Sequence, residues 1–230
     1  MMMAKFAAVV LLGYLLGAIP IGYLLTRRQA KVDITAYGSG KVGATNVLRT
    51  AGRKSAAMVA TMDLLKGVLA VVLAGLIMGK GYLVVGNFGF GTLVAQVLAA
   101  LAAVVGHNWS VFLGFKGGRG VATFFGGLVA LCPVAAIVGG EIIIIGAGLT
   151  QYASLASIAG VVGAYAILVP LTIMNGFPLE YLFYTLVGSV IIIVMHRDNI
   201  RRLLKGKERR IGEKGEERDS SASSPTEGAG

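Results

Sequence analysis

The stretch Gly38-Ser39-Gly40-Lys41-Val42-Gly43-Ala44-Thr45-Asn46-Val47-Leu48-Arg49-Thr50-Ala51-Gly52-Arg53-Lys54-Ser55 carries four glycines, four cations and several hydroxyls in eighteen residues. That mixture makes a poor helix core and a good cradle for phosphate. Glycine lets backbone N–H groups approach an anion closely, and arginine and lysine supply charge. Gly38-x-Gly40-x-x-Gly43 matches a dinucleotide fingerprint on paper, but that motif needs a preceding strand, and here a long apolar run precedes it. Nor is it a phosphate loop of the nucleotide triphosphatase type, since Val42 follows Lys41. Arg49 and Arg53 are spaced i,i+4, so a short helix would place both on one face to clamp a single phosphate.

Three further polar clusters follow. In 106–120, Phe115-Lys116-Gly117-Gly118-Arg119-Gly120 again places cations on a backbone able to fold tightly around an anion, while Trp109, Phe112 and Phe115 suit a membrane interface. For His107, a structural hydrogen bond is at least as good a reading as catalysis. Ser154 precedes an apolar run, where serine is expected as an N-cap, and a capped helix start is also an anion site. His196 and Asn199, three apart, would face the same way on a continuing helix, and the arginines after them read as a basic tail lying on anionic lipid. Inside the apolar runs, Asp63 and Lys66 lie one turn apart and are expected to pair in support of the neighbouring loop. Glu141 stands alone among isoleucines.

The elements that must position these clusters are membrane helices. The chain is 56% hydrophobic and only 14% charged, against about 25% charged residues in a typical soluble domain. Mean hydropathy is +0.78. Seven apolar segments can be drawn, at 5–25, 56–78, 90–105, 121–131, 134–149, 155–174 and 179–195. Nothing alternates like a barrel strand, so the expected class is all-α, a polytopic integral membrane protein of seven transmembrane helices. The first segment is too long for a signal-peptide core and lacks a small-x-small cleavage site, so it is read as a retained span. With seven spans, 18 of the 21 lysines and arginines fall on one side. The positive-inside rule then puts the N-terminus outside, and the C-terminus and all four polar clusters on the cytoplasmic side. Residues 1–212 form the expected membrane domain and 213–230 a disordered cytoplasmic tail. Single Cys132 excludes an internal disulfide and a multi-thiolate metal site. No nucleic-acid partner is expected.

Four motifs in order resemble the bacterial PlsY-type acyl-phosphate:glycerol-3-phosphate acyltransferases. They are Gly-Ser-Gly-x-x-Gly-Ala-Thr-Asn-Val-Leu-Arg, Gly-His followed by Phe-Lys-Gly-Gly-x-Gly-Val-Ala-Thr, Ser-Leu-Ala-Ser, and His-Arg-x-Asn-Ile-x-Arg-Leu. The resemblance implies a seven-helix enzyme of the bacterial inner membrane with its site at the cytoplasmic face. It implies transfer of an acyl group from acyl phosphate to the 1-hydroxyl of glycerol 3-phosphate, giving lysophosphatidic acid and phosphate. It calls for no acyl-CoA, cofactor or metal, and implies an acyl-phosphate-producing peripheral enzyme as partner. Carried over residue by residue, it marks Ser39, His196 and Asn199 as catalytic, and Gly40, Gly43, Thr45, Asn46, Arg49, Arg53, Lys116, Gly117, Gly118 and Ser154 as substrate-binding. Lys41 and Arg119 depart from the family's usual asparagine and lysine.

The residue types suit this chemistry independently. Acyl phosphate is already activated, so no cysteine nucleophile is required. No His-x4-Asp dyad is present, since Phe112 and Arg201 stand five residues after the two histidines. Direct attack by the glycerol hydroxyl is therefore expected, with a phosphate oxygen of the donor as base. Arg49, Arg53, Lys116 and His196 are expected on glycerol 3-phosphate, and Ser39 with the amides of 40–46 on acyl phosphate. A transporter of organic phosphate would place its polar groups near the membrane midplane, whereas these gather at one face.

Overall fold

The computed structural model describes residues 1–86 and 88–217; residues 219–230, expected to form the disordered end of the tail, lie outside them. Nine α-helices are described: α1 (Met2–Ala18), α2 (Ile21–Gln29), α3 (Ala44–Met78), α4 (Thr92–Asn108), α5 (Val121–Leu131), α6 (Pro133–Thr150), α7 (Ala153–Asn175), α8 (Leu179–Met195) and α9 (Arg197–Leu204). One small hairpin, β1 (Leu83–Val85) with β2 (Phe88–Phe90), joins α3 to α4, with Val84 opposite Gly89.

By length and composition, four helical segments among the described residues suffice to cross a membrane: 2–29, Ala44–Met78, Pro133–Thr150 and 153–174. The bent pair α8–α9 makes a fifth if taken as one span. α4 and α5 are shorter; at 1.5 Å per residue the eleven residues of α5 reach only about 16 Å, half of a hydrocarbon core. Leu65, Leu69, Leu76, Ile144, Ile145, Leu149 and Ile173 are exposed on the outer faces of α3, α6 and α7. An apolar belt of this extent belongs against lipid rather than water.

Small residues set the packing. α1 meets α4 where Gly13 and Gly17 lie against the Ala99 and Ala103 carbonyls, and α3 meets α5 where Gly126 lies against the Leu64 carbonyl. A Cβ at any of these would collide with backbone, which cannot rotate away. The central core gathers Phe124, Leu128, Leu168, Tyr184 and Ile192, with the Phe124 and Tyr184 rings stacked at 5.1 Å.

Two breaks depart from the sequence reading. Pro20 lacks an N–H and splits the first apolar segment into α1 and α2. Helix breaks at membrane depth must be re-satisfied by side chains; here Ser110 Oγ donates to the Ala18 carbonyl at 2.5 Å, and Lys66 Nζ to the Ile19 carbonyl at 3.3 Å. α3 begins at Ala44, twelve residues before the apolar segment, and is interrupted at Gly52 (φ 81°, ψ −179°). Only glycine adopts that conformation without strain. The loop read as a poor helix former is thus partly a helix, with its first two turns set off from the span by the kink.

Candidate active site

Asn46 builds the first wall. In the first turn of α3, its side-chain amide donates to the carbonyls of Ile34 (3.2 Å), Tyr37 (3.0 Å) and Lys41 (2.9 Å), while Oδ1 accepts from the Ser39 N–H at 3.1 Å. The glycine-rich loop is thereby folded back onto the helix that follows it. Asn46 is 2% exposed and its side-chain polar atoms are committed within the chain. The residue expected to bind substrate therefore organises the glycine-rich loop.

The second wall is the α4–α5 loop. The Gly118 N–H donates to the His107 carbonyl at 3.0 Å, and Gly120, in the left-handed region at φ 79°, starts α5. Gly117 and Gly118 are buried under the backbone and ring of His107, with no room for a Cβ. The third wall is the start of α7. Tyr152, not Ser154, occupies the N-cap position, without a side-chain cap. Ser154 is instead the second residue of α7 and donates its hydroxyl to Glu208 at 2.9 Å.

The fourth wall comes from α8 and α9, which bend by 61° at His196. The helix does not continue straight, yet the bend turns both His196 and Asn199 inward, where each is buried. The His196 Nδ1 lies 2.8 Å from the Ile192 carbonyl, so Nδ1 carries the proton and Nε2 is left as the free edge. His196 sits just beyond the last apolar segment; burial first, then the Arg119 charge, pulls its pKa down to about 4. The imidazole is therefore neutral at neutral pH and presents a lone pair, not a cation.

These walls enclose one cavity of about 350 Å³. Of the sequence-predicted residues, Ser39, Gly43, Thr45, Asn46, Arg49, Ser154, His196 and Asn199 line it. Gly40, Arg53, Lys116, Gly117 and Gly118 do not. Arg53 is exposed and lies beyond the Gly52 break, so it shares no continuous helix face with Arg49 and the expected clamp is not formed. Lys116 is exposed and bridges to Ser110 in the loop, and Arg119 takes the cavity-lining position. Burial, with the charges of Arg202 and Arg49, holds the Arg119 guanidinium at about 10 despite the opposing pull of Glu208, still cationic at pH 7.

Asp63, His107, Arg119 and Glu208 also line the cavity; the sequence reading places Arg119 among the cations of the second cluster, weighs His107 for catalysis and pairs Asp63 with Lys66, while Glu208 escapes it. Glu208 has a side chain only 4% exposed and accepts from Ser154 Oγ (2.9 Å), Asn199 Nδ2 (2.6 Å) and Arg202 Nε (2.7 Å). One carboxylate in a run of lysines and arginines was its only signal. Packing also runs past the expected domain boundary at 212. The Gly215 N–H donates to the Arg49 carbonyl at 3.2 Å, the Gly38 N–H to the Glu216 carbonyl at 2.9 Å, and Tyr37 pairs with Glu217. Arg49 in turn donates to the carbonyls of Arg209 and Arg210. No group of three or more His, Cys, Asp or Glu side chains poised for a metal occurs among the described residues.

Residues 7–206 match the family described as glycerol-3-phosphate acyltransferase. A glycerol-3-phosphate acyltransferase 3 of Dehalococcoides mccartyi is 63% identical over 214 residues, covering 93% of this chain and 99% of the relative. A glycerol-3-phosphate acyltransferase of Halalkalibacterium halodurans is 39% identical over 203 residues, covering 88% and 94%. Among solved structures, PlsY (YgiH), an integral membrane glycerol 3-phosphate acyltransferase in its glycerol 3-phosphate form, superposes with a TM-score of 0.77 at 35% identity, covering 90% of this chain and 96% of that one. Its lysophosphatidic acid form gives 0.74 at 34% identity.

Proposed function

The chain belongs to the glycerol-3-phosphate acyltransferase family, and from that premise we propose that it transfers a fatty acyl group from acyl phosphate to the 1-hydroxyl of glycerol 3-phosphate, releasing lysophosphatidic acid and inorganic phosphate. The observation that carries the reading is the joint lining of one cavity by Ser39, Arg49, Arg119, Ser154, His196 and Asn199, residues drawn from four separate motifs. Cationic groups from two different walls suit a reaction that must hold two phosphates at once.

The glycerol hydroxyl oxygen attacks the acyl carbon, the bond from that carbon to the phosphate oxygen breaks, and the hydroxyl proton passes to a phosphate oxygen of the departing group. His196, held neutral with Nε2 free, accepts the hydrogen bond of the attacking hydroxyl and orients it. With a pKa near 4 it is too weak a base to take the proton at neutral pH, which leaves the donor's phosphate as the acceptor. Arg49 and Arg119 neutralise the phosphates, Ser39 and Thr45 supply hydroxyl donors beside the glycine-rich loop, and Asn199 orients groups between the two substrates. Alignment of this kind is worth about 7–11 kcal/mol of barrier. The apolar side chains Val121, Phe125 and Ile143 in the same lining suit the first carbons of an acyl chain.

The site is proposed to lie at the cytoplasmic face of the bacterial inner membrane, beneath seven spans with the N-terminus outside. The cavity gathers the start of α3, the α4–α5 loop, the start of α7 and the end of α8, as an odd number of passages requires. The short α5 then begins at the cavity rather than at the membrane surface. A peripheral enzyme that makes acyl phosphate is the proposed supplier. Purified protein in detergent, given acyl phosphate and radiolabelled glycerol 3-phosphate, is expected to yield labelled lysophosphatidic acid, and acyl-CoA in place of acyl phosphate is expected to yield none. Product from acyl-CoA alone, or none from either donor, would overturn the reading.

A further inference from the structure

The segment after Glu208, which the mechanism above does not use, runs from the third wall of the cavity back to the first. It meets the chain just before α7 at Gln151, then Arg49 of α3, then the glycine-rich loop. We propose that residues 209–217 are a latched strap, and that its far end, 215–217, must release the glycine-rich loop for glycerol 3-phosphate to take Arg49. The proposal rests on the acyltransferase reading.

The strap is held unequally along its length. Its near end is fixed through the buried Glu208 carboxylate, which accepts from Ser154, Asn199 and Arg202, and the Ile211 N–H donates to the Gln151 carbonyl at 2.8 Å. Gly212 then bends the chain at φ 88°, with open space where a Cβ would stand. Beyond it the attachments are backbone hydrogen bonds. The Gly215 N–H donates to the Arg49 carbonyl at 3.2 Å, the Gly38 N–H donates to the Glu216 carbonyl at 2.9 Å, and Tyr37 and Glu217 form an antiparallel bridge. Glu213, Lys214, Glu216 and Glu217 are exposed. An end secured by exposed backbone bonds, without an apolar anchor of its own, belongs to the part of a structure that opens locally at the least cost.

The strap also occupies the cation that a phosphate needs. Arg49 Nη2 donates to the carbonyls of Arg209 at 3.4 Å and Arg210 at 3.3 Å, both longer than an ordinary N–H···O bond. Arg49 Nε is buried and has no hydrogen-bond partner among the described residues. A guanidinium is therefore held by two long bonds to neutral carbonyls, with one donor unused. A phosphate is the stronger acceptor and matches the guanidinium fork with two oxygens at once. Phosphate and strap compete for the same side chain, so a bound phosphate favours the state in which the strap has drawn back. With its far end released, the strap stays attached through Glu208 and Ile211 while Arg49 turns to the substrate. Glycerol 3-phosphate arrives from water, whereas acyl phosphate carries a lipid tail, so the strap acts on the entry of the former.

The test locks the latch. Residues opposed across an antiparallel bridge have Cα atoms about 4.5–5.5 Å apart, within the span of a disulfide. The full chain carrying Tyr37→Cys with Glu217→Cys is assayed in detergent before and after oxidation, beside wild type and the two single variants treated alike, since all of them retain the buried Cys132. The reduced double variant is expected to turn over near the wild-type rate. Oxidation is expected to lower its kcat/KM for glycerol 3-phosphate about 10-fold or more, as for a lid that cannot open, and dithiothreitol is expected to restore it. An oxidised double variant as active as its reduced form would overturn the proposal. Where the cysteines themselves disturb the loop, hydrogen exchange of the full wild-type chain gives an independent reading. The amides of Gly38 and of residues 213–217 are expected to exchange faster once glycerol 3-phosphate is added, and unchanged or slower exchange would overturn the proposal. Absence of turnover in wild type would instead count against the function on which it rests.

Discussion

The Asn199 side-chain amide donates to Glu208 Oε1 at 2.6 Å, closing the ten-residue segment 199–208 onto itself in the cavity wall. The same oxygen accepts from Ser154 on another helix, and the second carboxylate oxygen accepts from Arg202. One carboxylate thus ties α7, α9 and the segment after α9 into a single rim, beyond which the chain runs on to pair with the glycine-rich loop.

Glu208→Ala is expected to lower stability by about 1–3 kcal/mol, the cost of stranding buried partners, and to reduce turnover because Asn199 and Ser154 lose their orientation. Thermal unfolding in detergent together with the acyltransferase assay checks both. An unchanged unfolding midpoint would remove Glu208 as the tie of the rim.

Asn46→Ala is expected to act through the loop rather than through substrate contact. Three backbone carbonyls and the Ser39 N–H lose their partner together. The expected signature is a fall in stability of about 1–3 kcal/mol with increased proteolytic cleavage between residues 34 and 46. Asn46→Asp is expected to be no rescue, since a carboxylate cannot donate to the carbonyls.

Arg49 and Arg53 are expected to separate cleanly. Arg49→Ala removes a cavity-lining cation and is expected to lower kcat/KM by about 10- to 100-fold, the usual worth of a charged hydrogen bond. Arg53→Ala changes an exposed side chain beyond the Gly52 break and is expected to stay within a few-fold of wild type, about the weight of a surface charge. Equal losses in the two variants would mean that the helix straightens through Gly52 when substrate binds.

His196 makes stability depend on pH on the acid side. Its pKa is about 4 in the folded protein against an ordinary value of 6.5, so between these values the unfolded chain binds more protons. Its contribution is present above about pH 6.5 and is lost as pH falls toward 4. His196→Phe is expected to flatten that part of the stability profile relative to wild type, as read by unfolding midpoints from pH 4 to 7. The pH dependence of kcat/KM in wild type is expected to show no inflection near 6.5 from this residue.

Residue types and their order determined a great deal alone. Long apolar runs, with nothing alternating between them, leave helices as the only way to satisfy backbone groups in lipid. The four ordered motifs sufficed to mark the family, because glycine, hydroxyl and cation at fixed spacing answer a chemical need that a spacer loop does not have. Asp63 and Lys66, one turn apart, were legible as a pair for the same local reason. Tertiary structure alone decided which cations serve the cavity. Arg53 and Lys116 look as suitable as Arg49 and Arg119 in one dimension, but a left-handed glycine turns the first away and the loop geometry exposes the second. Glu208 and His107 depend on partners 54 and 41 residues away, a separation at which local spacing carries no signal and only packing brings side chains together.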